Sequence, residues 1–166
     1  MSSDDDLRTI LVATDGSPSA CQAIDFAVQL AAEHDADLVC VHVVPTLDFA
    51  SHVAGQPGYA LRHEPTGRDR AVLDEAAAIA TEHGVAAKTV LLGGSTAQQI
   101  VAYAESSGAD LIVIGTRGHS AMAKALLGSV SLSVLRRSKR PVLIVRSTST
   151  PSRRKPRRAR RRRESL

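Results

Sequence analysis

Apolar residues are distributed along this chain in two alternating textures. Short, nearly continuous aliphatic runs occupy 8–14 (Arg-Thr-Ile-Leu-Val-Ala-Thr), 37–44 (Asp-Leu-Val-Cys-Val-His-Val-Val), 86–92, 110–114 and 140–146. Runs of this length without in/out alternation predict strands covered on both faces. Between them lie longer segments with helical spacing. Ala20, Ala23, Ile24, Ala27, Leu30 and Ala31 fall on one face of a helix over 19–34, with Pro18 suited to its first turn. Further helices are predicted at 68–83, closed by Gly84, from a Ser95 or Thr96 cap to near Gly108, and at about 129–138. Strand and helix alternate five times, which predicts an α/β fold: a parallel sheet with helices on both sides. Residues 46–67 lack periodicity and contain Gly55, Pro57, Gly58, Pro65 and Gly67, so a long mobile loop is expected there.

The fourth strand runs directly into Gly115-Thr116-Arg117-Gly118, and Gly128-Ser129 follows after nine intervening residues. Two glycines three apart let the backbone leave a strand sharply and bring bare N–H groups close to a ligand. Gly128-Ser129 reads as a helix entrance, where free N–H groups and the positive end of the helix dipole favour an anion. The amides of Thr116 to Gly118 and of Ser129 to Ser131, with the hydroxyls of Ser129 and Ser131, therefore form a candidate triphosphate cradle. In an open parallel sheet a ligand sits outside the carboxyl ends of the strands, where the strand order reverses. Asp15 follows the first strand and Gly115 the fourth, so neighbouring placement of those strands brings both to one crevice. There Asp15 is positioned for a ribose or base; its structural alternative is an Asx turn in Asp-Gly-Ser. Arg117 offsets phosphate charge or is simply solvated. His119 has no carboxylate or nucleophile beside it, Lys124 reads as solvated, and His42, inside a strand, reads as packed. No G-x-x-x-x-G-K-[ST] and no G-x-G-x-x-G after the first strand is present, which excludes a P-loop and a dinucleotide fingerprint.

Composition adjusts this picture in two places. At 166 residues the chain supports one domain, and with 2% aromatics and no Trp its core must be aliphatic. The net charge of +4 belongs to the end of the chain: Arg153 to Arg163 holds eight Arg and one Lys, leaving 12 basic and 16 acidic side chains in residues 1–152. The domain is thus mildly acidic, with expected bounds of 7–147. A disordered acidic start (1–6) and a disordered basic tail (148–166) flank it. Such a tail is either solvated or a contact for nucleic acid or another polyanion. No apolar run approaches the roughly 20 residues of a membrane span, and the acidic N-terminus does not resemble a secretory signal, so a cytoplasmic location is expected. Cys21 and Cys40 read as small core residues, and no metal-ligand spacing is present. Pro141 marks the last strand as an edge, and the apolar run Val142 to Val145 there predicts a homodimer.

These motifs resemble the universal stress protein family. The carriers are Ile-Leu-Val-Ala-Thr-Asp-Gly-Ser (10–17), Val-His-Val-Val (41–44), Gly-Thr-Arg-Gly (115–118), Leu-Leu-Gly-Ser-Val-Ser (126–131) and Arg-Pro-Val-Leu-Ile-Val (140–145). The spacing G-x2-G-x9-G-[ST] is similar to that of the family's ATP-binding branch. The resemblance implies a Rossmann-like, open five-stranded sheet in the order 3-2-1-4-5 and dimerisation through the last strand. It also implies ATP, with Mg on its phosphates. Asp15 would face the ribose and adenine, the Val43 backbone would read the base edge, and Ala13 would form the floor. Ile114 and Gly115 would line the pocket, and Gly118, Gly128, Ser129, Val130 and Ser131 would hold the phosphates. The implied role is regulatory, with slow hydrolysis at most and no catalytic residue. Adenylating enzymes of similar fold need His-Ile-Gly-His or Ser-Gly-Gly-x-Asp-Ser, and this chain has neither. The alternative is a dimeric module whose Arg-rich tail carries the function.

Overall fold

The computed structural model describes residues 7–45, 65–116 and 127–146. Its elements are β1 (Thr9–Ala13), α1 (Pro18–His34), β2 (Asp37–Pro45), α2 (Gly67–Glu82), β3 (Ala87–Gly94), α3 (Thr96–Ser106), β4 (Leu111–Gly115), α4 (Ser129–Arg137) and β5 (Val142–Val145). The five strands form one sheet in the order β3-β2-β1-β4-β5, and every pairing is parallel. The expectations for 1–6, for most of the 46–67 loop, for Arg117, Gly118, His119 and Lys124, and for the basic tail lie outside the described residues.

Side-chain alternation splits the core into two layers. Ile10, Val12, Leu38, Cys40 and Val113 point to one face, where Ala23, Ile24, Ala27 and Val28 of α1 and Leu73, Ala76 and Ala80 of α2 cover them. Leu11, Ala13, Val39, Val41, Val43, Ile112 and Ile114 point to the other, against Ala97, Ile100, Val101 and Ala104 of α3 and Val134 of α4. Alanines line the helix faces, so the helices lie close to the sheet. The larger aliphatics Ile24, Val28 and Ile100 are buried, each stabilising the fold by about 1.5–3 kcal/mol.

Several local features depart from the sequence expectation for identifiable reasons. Ser17 caps α1, its hydroxyl accepting the Ala20 N–H at 3.3 Å ahead of Pro18. Ser95 is the N-cap of α3 but makes no side-chain cap bond. Thr66 and Asp69 form a capping box that starts α2. β3 runs through Gly93 and Gly94, which pair with Val44 and Pro45, so the glycines extend the strand before α3 begins. Asp110 precedes β4 and accepts the Arg8 and Thr9 N–H groups on its carboxylate at 3.0 and 2.9 Å, fixing the start of β1. Pro141 stands just before β5, a strand at one edge of the sheet; its carbonyl accepts the Ile112 N–H at 3.0 Å, so the missing donor leaves the ladder intact.

Candidate functional site

The sheet order fixes where a site can form. α1 and α2 pack on one face and α3 and α4 on the other, so the chain reverses direction between β1 and β4. Ala13 pairs with Ile114 across that junction. The loop after β1 and the exit of β4 therefore leave the sheet side by side, which is the crevice where open α/β sheets bind ligands. Ala13, Val43 and Ile114 are each 6% exposed and all point to the α3/α4 side, so they form an apolar base under the crevice.

The exit of β4 and the start of α4 come together. At the exit of β4, the Thr116 carbonyl accepts the Gly128 N–H at 2.6 Å, and the Thr116 N–H donates to Val145 O at 3.0 Å. The Ser131 hydroxyl donates to Gly115 O at 2.8 Å. Strand exit and helix entrance are thus tied directly, whatever path residues 117–126 take. Among the described residues no acceptor meets the Ser129, Val130 or Ser131 amide. These are the first three N–H groups of α4, left over by helix geometry. The helix begins with no acidic residue in its first turn and ends on Arg136 and Arg137, an arrangement that leaves the positive pole unneutralised.

The ties also correct two expected roles. The Ser131 hydroxyl is buried and occupied by Gly115 O, so it braces the motif instead of adding a free donor. The Gly128 amide is likewise committed to Thr116 O. The donors presented at this helix end are therefore the three following amides and the exposed Ser129 side chain. Gly115 is buried at the exit of β4. A Cβ there would stand 2.5 Å from Ser19 Oγ and 2.8 Å from the Ser19 backbone C and O. It is glycine because the first turn of α1 crosses directly over β4.

Asp15 lies at the mouth, half-buried. Its Oδ1 accepts the Ser17 N–H at 2.9 Å, and the Thr14 hydroxyl accepts the Gly16 N–H at 3.2 Å. The Asx turn is therefore real, and it places the carboxylate at the end of β1. Gly16 takes φ 75, and a Cβ there would stand 3.1 Å from the Val72 side chain of α2, so the corner tolerates no larger residue without strain.

Beneath that corner sits a polar group that the sequence reading missed. His42 is 8% exposed, packed as expected, but both ring nitrogens are engaged: Nδ1 lies 2.8 Å from Thr14 O and Nε2 lies 3.0 Å from Asp69 Oδ1. The other Asp69 oxygen accepts the Thr66 N–H and hydroxyl, each at 2.7 Å. Thr66 foremost, and then His42, hold the Asp69 carboxyl well below the usual carboxylate range. The Thr-x-x-Asp spacing of 66–69 was the available signal for the cap. No spacing joins His42 to it, since 27 residues intervene.

Both cysteines are free thiols. Burial pushes Cys40 up to about 11, and burial, then Glu75, Asp25 and Asp15, raises Cys21. Among the described residues no group of His, Cys, Asp and Glu is arranged to hold a metal ion. None of the described helices is long and apolar enough to cross a membrane.

The family profile described as "Universal stress protein family" matches residues 6–146, which takes in every element of the fold. The chain belongs to the universal stress protein family. Among its relatives, the universal stress protein YxiE of Bacillus subtilis is 38% identical over 144 residues, spanning 82% of this chain and 97% of YxiE. The universal stress protein MJ0531 of Methanocaldococcus jannaschii is 33% identical over 139 residues, spanning 84% and 82% of the two chains. A crystal structure of a universal stress protein in complex with cAMP superposes with a TM-score of 0.67 at 32% identity, covering 87% of this chain and all of that one. The family match ends at residue 146, so the Arg-rich tail of this universal stress protein lies beyond it.

Proposed function

We propose that this universal stress protein binds an adenine nucleotide in the crevice between the ends of β1 and β4, and that the nucleotide is ATP. The observation that carries this reading is the start of α4, whose first three amides meet no acceptor among the described residues and which Gly128 and Ser131 tie to the exit of β4. α4 lies on the side of the sheet on which Ala13, Val43 and Ile114 form an apolar base suited to a purine. A structural relative at 32% identity was solved with cAMP, which supports an adenine nucleotide as the ligand class. The sequence continues from Thr116 into Arg117-Gly118, a second glycine element whose spacing favours a polyphosphate. A Mg ion would ride on the phosphates.

The role is regulatory. The nucleotide is a signal that reshapes the surface, with hydrolysis slow at most. The apolar edge strand β5 (Val142–Val145) joins two copies into a homodimer. The Arg-rich segment 153–163 contacts a polyanion independently of the nucleotide.

Calorimetry with ATP, ADP, AMP and cAMP, each with magnesium, tests the ligand. ATP binding that is lost on Gly118→Val with the fold retained supports the reading. Equal affinity for AMP and ATP would remove the polyphosphate from it, and no heat with any of the four would overturn it. A chain ending at Ser152 is expected to keep ATP affinity unchanged and to lose any salt-dependent DNA binding.

A further inference from the structure

The His42 ring presents a hydrogen-bonding problem that only one protonation state solves. Thr14 O and Asp69 Oδ1 are both acceptors, one at each ring nitrogen. A carbonyl oxygen carries no proton, and Thr66 bonding keeps Asp69 ionised. A neutral imidazole has one N–H, so either tautomer turns a nitrogen lone pair toward an oxygen lone pair. The imidazolium donates to both. His42 lies on β2, between β1 and β3. Its partner across β3 is Leu91, and the register of β1 places Thr14 beside it. From α2 the charged group in contact is Asp69, with Arg68 and Arg70 flanking it as exposed side chains. Asp15 follows Thr14 in the β1 loop.

The position of this ring matters more than its burial. It holds the last carbonyl of the β1 end, one residue before Asp15 and one after Ala13. On the other side it holds the capping box that starts α2. We propose that His42 is a positioning residue: its imidazolium clamps the Thr14–Asp15 corner to α2, and loss of its proton loosens that corner and the nucleotide site it borders. The part that concerns nucleotide rests on the function proposed above; the clamp itself does not. The sign follows from the bonding. The clamped state binds the extra proton, so it is favoured at low pH and weakens as pH rises.

Asp69→Asn gives the discriminating variant. An asparagine oriented with its oxygen toward Thr66 keeps the box and turns its NH2 toward Nε2. The neutral ring then becomes the matching form, donating from Nδ1 to Thr14 O and accepting at Nε2. The pH dependence should flatten or reverse. His42→Gln, which cannot bridge both acceptors, should show a loose corner at every pH.

Three readouts on the full chain decide the matter. The 15N shifts of the His42 ring report both nitrogens protonated at pH 6 in the native protein and one in Asp69→Asn. The amides of Gly16 and Ser17, corrected for intrinsic exchange, lose about tenfold in protection between pH 6 and 9, the size of a lost charge-assisted hydrogen bond. They change little in Asp69→Asn. Affinity for ATP with magnesium falls by about five- to tenfold over the same range in the native chain and less in Asp69→Asn. The ligand's own titration affects both proteins alike, so the comparison is of slopes. A native ring neutral at pH 6 overturns the proposal. So does a charged ring whose titration leaves Gly16 and Ser17 protection unchanged. Absence of ATP binding at every pH would instead defeat the proposed function, while the ring and the two amides still decide the clamp.

Discussion

Replacing Gly115 by alanine adds one methyl group where the structure has no room for it. The new Cβ would lie 2.8 Å from both the carbonyl carbon and oxygen of Ser19, more than half an ångström short of ordinary contact. Those are backbone atoms in the first turn of α1, so no rotamer change relieves them. Either α1 lifts from β4 or β4 bends at its exit. Overpacking of this kind costs about 1–3 kcal/mol. For a domain of this size that lowers the thermal midpoint by about 3–10 °C. Urea unfolding followed by circular dichroism should show a lower midpoint with an unchanged slope. Removing the Ser19 hydroxyl in the double variant Ser19→Ala/Gly115→Ala relieves the 2.5 Å approach to Oγ but neither backbone contact. Rescue should therefore be partial. An unchanged midpoint in the single variant would refute the close crossing of α1 over β4. Full rescue in the double variant would show that the hydroxyl alone was in the way.

Other consequences can be checked with equally simple measurements. Ser131→Ala leaves the Gly115 carbonyl without its donor and should destabilise the domain by about 1–3 kcal/mol in urea unfolding, because that hydroxyl is buried. Its effect on ATP affinity should be smaller than that of Gly118→Val, since the Ser131 side chain is not a phosphate donor. The Asp69 carboxyl titrates lower in the folded chain than in the unfolded one, so its contribution is complete above the unfolded value of about 3.9 and is lost as pH falls toward the folded value. Asp69→Ala should accordingly flatten the acid limb of a stability–pH curve below pH ~5, and an unchanged limb would count against the capping box. A thiol reagent at pH 8 should modify Cys21 slowly and Cys40 only on unfolding, because burial pushes Cys40 up to about 11. Equal labelling of both in the native protein would contradict the packing of β2.

Much of the fold was legible because each layer of sequence information pointed the same way. Unbroken aliphatic runs gave both-sided strands, and alanine-rich faces gave helices that lie close to them. Element ends moved by only a residue or two; at β3, Gly93 and Gly94 continue the ladder instead of ending it. The crevice was legible for a different reason. A parallel sheet confines ligands to the carboxyl ends of its strands, and the glycine motif and Asp15 both sat at such ends. What the sequence concealed were contacts between residues far apart in the chain. Nothing in the spacing shows that Gly115 is required by Ser19, nearly a hundred residues earlier, or that the Ser131 hydroxyl serves Gly115 O. His42 read only as a packed residue, because its two partners come from the end of β1 and the start of α2. The Thr66–Asp69 cap was local and available to the eye, but the segment before it carried no pattern to suggest a helix start.

The central claim is that the first turn of α4 receives a nucleotide's phosphates on the amides of Ser129, Val130 and Ser131. Backbone amide shifts measured during titration with ATP and magnesium test it most directly. The account predicts that these three amides move most and saturate together with Gly118, while the amides of β3 and of the last turn of α1 stay in place. Saturable ATP binding that leaves Ser129 to Ser131 unshifted would contradict it.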